Sequence, residues 1–236
     1  FKESVFFVFL LVLSSIVHGN NHSPMLKDKI KHLFSDEEDI SISQSPIKGL
    51  IQVIVGNQVI YFSEDGAKAI KGEIIDIETE RNLTDEVKNR IRSETLKNIN
   101  ETELVSFKAK RKKKLEKIFV FTDVDCGYCQ KFHQEIPNLN AKGVDVHYLA
   151  FPRGGMESEG AKKLKAVWCS KDRAKSMTRA KQNKIVEFKE CDNPVEKHFN
   201  IGLSMGIFGT PAVYSESGNE LGGYMTAGQV VKKLMD

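Results

Sequence analysis

Hydrophobic and polar positions change rhythm several times along the chain, and each change marks an element. Met25, Leu26, Ile30, Leu33 and Phe34 recur at helical spacing inside an otherwise polar stretch from 20 to 45. Two β-rich runs follow, 50–55 and 58–62, parted by Gly56-Asn57. A two-residue loop that opens on glycine predicts a hairpin with a type II′ turn. Ser63-Glu64-Asp65-Gly66 predicts another turn, and 70–77 one or two further strands. Residues 24–80 therefore read as a small α+β unit. A unit of about 55 residues buries a marginal core, which invites oligomerisation.

From 84 to 99 the period becomes four: Leu83, Val87, Ile91, Thr95 and Ile99 stand between charged residues. One narrow apolar stripe predicts a linker helix that packs against little, capped by Asn82 or Thr84. A Lys-rich stretch, 108–117, comes next. The pattern then alternates strand with helix, as in an α/β domain. It gives a strand at 118–122, a helix at 126–140, a strand at 144–151 and helical character over 157–181. A helix at 194–205 starts with Pro194 in its first position. Short strands at 212–215 and 221–224 flank a Gly218-Asn219 turn, and a last helix at 226–235 is capped by Thr226.

Composition adds little beyond class. The 236 residues are 40% hydrophobic and 28% charged with net charge +3, ordinary for one or two globular domains. The N-terminus adds more. The chain opens on Phe1, so its start is expected upstream. Lys2 precedes 13 apolar or small residues at 5–17, with Gly19 at a plausible cleavage point. That run is shorter than the ~20 residues a bilayer span needs, so 1–19 is expected to be a secretory signal peptide. Four cysteines in an exported chain suggest two pairs. A bridge between Cys169 and Cys191 would close a loop of about 23 residues, worth roughly 3.4 kcal/mol in the chain-entropy account.

The candidate chemistry is Cys126-Gly127-Tyr128-Cys129, placed where a strand gives way to a helix. There the first sulfur lies near unpaired N–H groups and the positive end of the helix dipole, which favours the thiolate. Cys126 is expected to be exposed and Cys129 buried beneath it. A Cys-x-x-Cys is also half of a zinc site, but Cys169 and Cys191 supply no second close pair. His133 is expected to be a partly buried helix histidine. Thr210-Pro211, just before a short strand, is the natural place for a cis peptide that offers an extended substrate an edge to pair with. Asp125, next to Cys126, is expected to be a solvated acid; turned inward it would raise the thiol pKa. The basic run is expected to be a solvated linker.

Phe121-Thr122-Asp123, the Cys126–Cys129 motif, His133, Tyr148-Leu149-Ala150-Phe151-Pro152-Arg153, Trp168-Cys169, Cys191 and Gly209-Thr210-Pro211-Ala212-Val213 together resemble the periplasmic disulfide-bond isomerases, the DsbC/DsbG family. Gly127-Tyr128 is nearer the DsbC branch. The N-terminal half matches more weakly, through the order of its elements and the Tyr61 to Gly66 region. The resemblance implies a small cystatin-like α+β dimerisation domain (20–82), a helical linker (83–106) and a C-terminal thioredoxin fold with a helical insertion (107–236). It implies a V-shaped homodimer around a peptide-binding cleft. By the family pattern Cys126 attacks, Cys129 resolves, Thr210-Pro211 is the cis-proline loop, and Cys169–Cys191 is a structural disulfide. Misfolded exported proteins with non-native disulfides are the implied clients, and a membrane reductase of the DsbD type keeps the dithiol reduced. No cofactor, metal or nucleic acid is called for. Asp125 departs from the family, which usually has a small hydroxyl residue there, and the Lys-rich run is more basic than the pattern.

The expectation is thus a periplasmic protein disulfide isomerase with chaperone activity. The competing classes are a net thiol oxidase or narrow-specificity reductase, a dimeric holdase whose thiols are secondary, and a basic surface-binding protein using 108–117.

Overall fold

The computed structural model describes residues 24–34, 40–109, 115–187 and 189–235. The expected signal peptide and residues 110–114 of the basic run lie outside the described residues.

The first unit is a helix laid on a sheet. Helix α1 (Pro24–Leu33) precedes four antiparallel strands, β1 (Ile40–Gln44), β2 (Leu50–Val55), β3 (Gln58–Ser63) and β4 (Ala69–Ile70), which neighbour one another in chain order. The β2–β3 turn falls on Gly56-Asn57 as expected, with Gly56 at a φ of 55° that suits the first position of a type II′ turn. Ile51, Val53, Val55, Ile60 and Phe62 form a small core with Ile30 of α1. The polar average over 20–45 hides β1, although Ile40-Ser41-Ile42-Ser43 has the strand period. The 70–77 region yields β4 and β5 (Ile75–Asp76), and β5 pairs with β6 (Arg81–Asn82).

The second sheet has five strands in the order β11 (Glu220–Gly222), β10 (Ala212–Ser215), β8 (Glu116–Thr122), β9 (Val144–Ala150), β7 (Val105–Phe107). Strands β8 and β9 are parallel, joined by α3 (Gly127–Gln134) and α4 (Ile136–Ala141); the other pairings are antiparallel. All seven residues of β9 are buried, as both faces of the sheet are covered. Ile118, Val120, Val146 and Tyr148 pack with Phe132, Leu164 and Val167 on one face. Phe119, Phe121 and Leu149 pack with Met205 and Ile207 on the other. The remaining helices are α5 (Glu159–Trp168), α6 (Arg173–Lys181), α7 (Val195–Ser204) and α8 (Ala227–Met235). Strand β7 joins this sheet ahead of the boundary expected at 107.

Three expected helices are corrected. The 126–140 segment breaks at Glu135, because Pro137 fits only the first turn of a helix, where its missing N–H costs nothing. The 157–181 segment breaks after Trp168, and Asp172 restarts it by accepting from the Lys175 N–H at 3.0 Å. Pro194 is the cap of α7 and not its first helical residue.

Helix α2 (Leu83–Lys97) carries the largest correction. Asn82 caps it, accepting from the Asp85 N–H at 3.0 Å, while the Thr84 hydroxyl instead meets Tyr61 Oη at 2.5 Å. The helix was expected to touch little, and its apolar stripe, Leu83, Val87 and Ile91, is indeed half-exposed. Another face docks on the second sheet. Asn89 Nδ2 donates to Asn219 Oδ1 at 2.7 Å, Ser93 Oγ donates to Glu216 O at 2.7 Å, and the Arg92 guanidinium lies 5.7 Å from the Tyr214 ring centroid. Leu96, with Ile99 just beyond, enters the Phe119–Phe121 core. Gly218, at a φ of 87°, lets the β10–β11 turn approach so closely that a Cβ would overlap the Asn89 carbonyl. No helix among the described residues is long and apolar enough to cross a membrane.

Candidate active site

Strand β8 delivers Thr122 and Asp123 to its C-terminal end, and Cys126 begins α3 as its cap. The Cys126 sulfur accepts from the Cys129 N–H at 3.4 Å, so it stands at the donor-rich end of the helix. From across the site, Thr210 presents its carbonyl 3.2 Å from Cys126 Sγ, and Thr210-Pro211 is cis. Cys126 was expected to be exposed. It is 2% exposed, and Cys129 beneath it is fully buried. The Thr210 carbonyl in contact with its sulfur accounts for part of that cover.

The two thiols are driven apart. Burial pushes the Cys126 thiol up, but the nearby Thr210 side chain, the hydrogen bond from the Cys129 N–H and the Arg153 guanidinium outweigh it, and its pKa falls below the ordinary thiol value. The Thr210 hydroxyl oxygen is buried and has no hydrogen-bond partner, which leaves it free for a thiolate. Burial wins at Cys129 and raises its pKa, against opposing pulls from Lys181, the Asp123 backbone and the Thr210 and Thr122 hydroxyls.

The carboxylates beside the motif take different roles. Asp123 is buried, and its carboxylate accepts from the Asp125 N–H at 2.9 Å, the Arg153 N–H at 2.9 Å and Arg153 Nε at 3.2 Å. Gly160, in the first turn of α5, admits it; a Cβ there would lie 3.2 Å from Asp123 Oδ1. Asp123 thereby holds Arg153 over the thiols. Asp125 is a surface acid, as expected, and pairs with Lys163 Nζ at 2.6 Å. Such an exposed pair contributes little to stability.

His133 Nδ1 lies 3.2 Å from Tyr148 Oη and its Nε2 lies 3.0 Å from Thr178 Oγ1. Burial pushes it down to about 4, so it is a neutral, half-buried helix histidine as expected. Cys169 and Cys191 are bonded, with S–S 1.98 Å, and pin α5 to the segment before α7. Among the described residues, no group of three or more His, Cys, Asp or Glu could hold a metal ion.

Around the sulfurs runs an exposed aromatic rim. Tyr128 is 61% exposed with its ring 6.1 Å from that of Tyr224, and Phe208, two residues before Thr210, is 91% exposed. Sequence reasoning missed this rim, and it missed Lys181, a buried lysine behind Cys129. The signal for Lys181 was present: Met177, Ala180 and Lys181 share one helix face at i, i+3 and i+4, and that face is buried.

The family model described as a thioredoxin-like domain matches residues 101–236, and the one described as the disulfide bond isomerase protein N-terminal domain matches residues 18–85. The chain is 35% identical over 197 residues to the thiol:disulfide interchange protein DsbC of Escherichia coli K12, covering 83% of this chain and 80% of that protein. It is 32% identical over 236 residues to DsbC of Dickeya dadantii, covering 99% and 94%. A solved disulfide interchange protein from Neisseria gonorrhoeae is 26% identical and superposes with a TM-score of 0.51 over 58% of this chain and 96% of that one. With two cysteines at the head of a helix, a thioredoxin-type sheet beneath them and relatives matched along most of its length, the chain belongs to the DsbC family of thiol:disulfide interchange proteins.

Proposed function

We propose that Cys126 is the attacking sulfur of a disulfide isomerase and Cys129 the resolving one. The observation that carries this is the asymmetry of the pair: Cys126 caps α3 with its pKa drawn down, whereas Cys129 is buried with its pKa pushed up. The thiolate of Cys126 attacks a client disulfide, forming a mixed disulfide and releasing one client thiolate. That thiolate can attack elsewhere in the client, which rearranges disulfides without net oxidation. If it does not, Cys129 attacks the Cys126 sulfur, closes the Cys126–Cys129 disulfide and frees the client with both its thiols reduced. Thr210, whose carbonyl already contacts Cys126, offers backbone for an extended client to pair with. Tyr128, Tyr224 and Phe208 offer apolar contact to unfolded chain, which also favours a holding role alongside exchange.

The reading makes the protein a periplasmic homodimer, returned to its dithiol form by a membrane reductase of the DsbD type. The apolar run at 5–17 supports export. The dimer is supported by the small first unit, which leaves Leu33, Ile47, Ile70, Ile75 and Ile77 exposed. Cys169–Cys191 is read as structural.

Trapping tests the assignment of the sulfurs. Cys129→Ser is expected to accumulate a covalent adduct with a disulfide-containing peptide, mapped by mass spectrometry to Cys126. An adduct that forms equally on Cys129 in the Cys126→Ser protein would reverse the roles.

A further inference from the structure

Lys181 is 4% exposed, at the end of α6, in a site otherwise lined by thiols, hydroxyls and backbone. Its Nζ donates to Thr122 Oγ1 at 2.6 Å and to Asp123 O at 2.8 Å, and it lies 5.6 Å from the centroid of the Tyr148 ring. The Thr122 hydroxyl in turn stabilises the Cys129 thiolate. The Lys181 amine and the Thr122 hydroxyl are thus hydrogen-bonded to each other beside the buried Cys129, whose charged form both favour. Lys181 also lines a groove of about 670 Å³ beside Gln130, His133 and Thr178, which gives the amine an exit for protons.

A buried ammonium in this position needs a reason. Desolvating it is costly, and it forms no ion pair with a carboxylate side chain among the described residues. The exchange offers one. Before Cys129 can attack the mixed disulfide at Cys126, its thiol must lose a proton, and it is too deep for water to take it. We propose that Lys181 is a positioning residue for this second half of the exchange, taking the Cys129 proton through the Thr122 hydroxyl. The thiol passes its proton to Thr122 Oγ1 as the Thr122 hydroxyl proton moves to the neutral amine, leaving Cys129 as thiolate and Lys181 as ammonium. Cys129 then bonds to the Cys126 sulfur, the client sulfur leaves with its electron pair, and the ammonium returns its proton by way of the groove.

The amine is suited to the exchange. Burial pushes Lys181 down to about 8, against the pull of Cys129, Asp123, Cys126 and Asp125, so a minority is neutral near pH 7. The other groups facing it are Tyr148, whose pKa burial raises well above its ordinary value, and His133, held neutral.

The inference rests on the roles proposed for Cys126 and Cys129, and one reagent separates the two. An aromatic disulfide that releases a coloured thiolate gives two phases with the reduced protein: the first as Cys126 attacks, the second as Cys129 resolves. Lys181→Met, similar in size and uncharged, is expected to slow the second phase roughly ten- to hundredfold. It should do so far more than it slows the first, and move the pH midpoint of the second phase upward. Thr122→Val, which keeps the lysine and removes the hydroxyl, is expected to slow the second phase in the same way and answers the question if Lys181→Met does not fold. A folded Lys181→Met or Thr122→Val protein with the second phase of wild type would overturn the relay. Wild type that releases only one thiolate would instead overturn the assignment of Cys129.

Discussion

At the scale of single residues, the site works by keeping two identical thiols unalike. Arg153, held by Asp123, favours charge on Cys126, and burial disfavours it on Cys129. Arg153→Met should raise the Cys126 pKa and slow attack roughly three- to tenfold at neutral pH, read from thiolate absorbance and the rate with a small disulfide. An unchanged titration would remove Arg153 from the account. Sequence made the cysteines legible, since Cys-x-x-Cys at a strand-to-helix junction has few chemical uses. It did not make Asp123 and Arg153 legible as a pair, since 30 residues separate them and only the parallel β8–β9 pairing brings their strand ends together. Nor did it reveal that Cys126 is covered. That depends on Thr210, 84 residues away, arriving from the start of β10.

At the scale of elements, the strands and helices of the second sheet could be read from periodicity, because its helices bury apolar stripes and its strands alternate or run fully apolar. Helix α2 could not. Its contacts with the β10–β11 turn are hydrogen bonds from Asn89 and Ser93, which leave no hydrophobic period to read. Gly218→Ala should therefore cost about 2–4 kcal/mol, through a side chain forced to positive φ and a clash with the Asn89 carbonyl. Chemical denaturation measures this, and a loss under about 0.5 kcal/mol, typical of an unconstrained surface site, would show that α2 does not depend on that close approach. Opening the Cys169–Cys191 bond with a Cys169→Ala, Cys191→Ala pair should cost about 3 kcal/mol by loop entropy, and should leave the first attack by Cys126 intact because neither cysteine touches the thiols.

At the scale of the whole molecule, buried histidines make stability depend on pH, His133 and His198 most strongly and His147 in the same direction. In an unfolded chain histidine titrates near 6.5, whereas burial holds His133 at about 4 and His198 at about 3. As pH falls from 6.5 to 4, the unfolded chain takes up protons that the fold refuses, so stability drops by about 1.4 kcal/mol per pH unit for each of His133 and His198. Denaturation midpoints should fall across that window and be flat with respect to these groups above it; equal midpoints at pH 7 and pH 4.5 would contradict it. The first unit governs assembly. Ile77 is 82% exposed, and Ile70 lies on the last strand of its sheet. Ile70→Glu combined with Ile77→Glu should halve the mass seen in sedimentation, and a monomeric wild type would contradict the dimer. The central claim, that one reduced sulfur at the head of α3 drives disulfide rearrangement, is tested most directly with a scrambled multi-disulfide client. Wild type should restore the client's activity, and Cys126→Ser should do so at less than about 1% of the wild-type rate, the scale of loss when a nucleophile is removed. Equal recovery with the two proteins would contradict it.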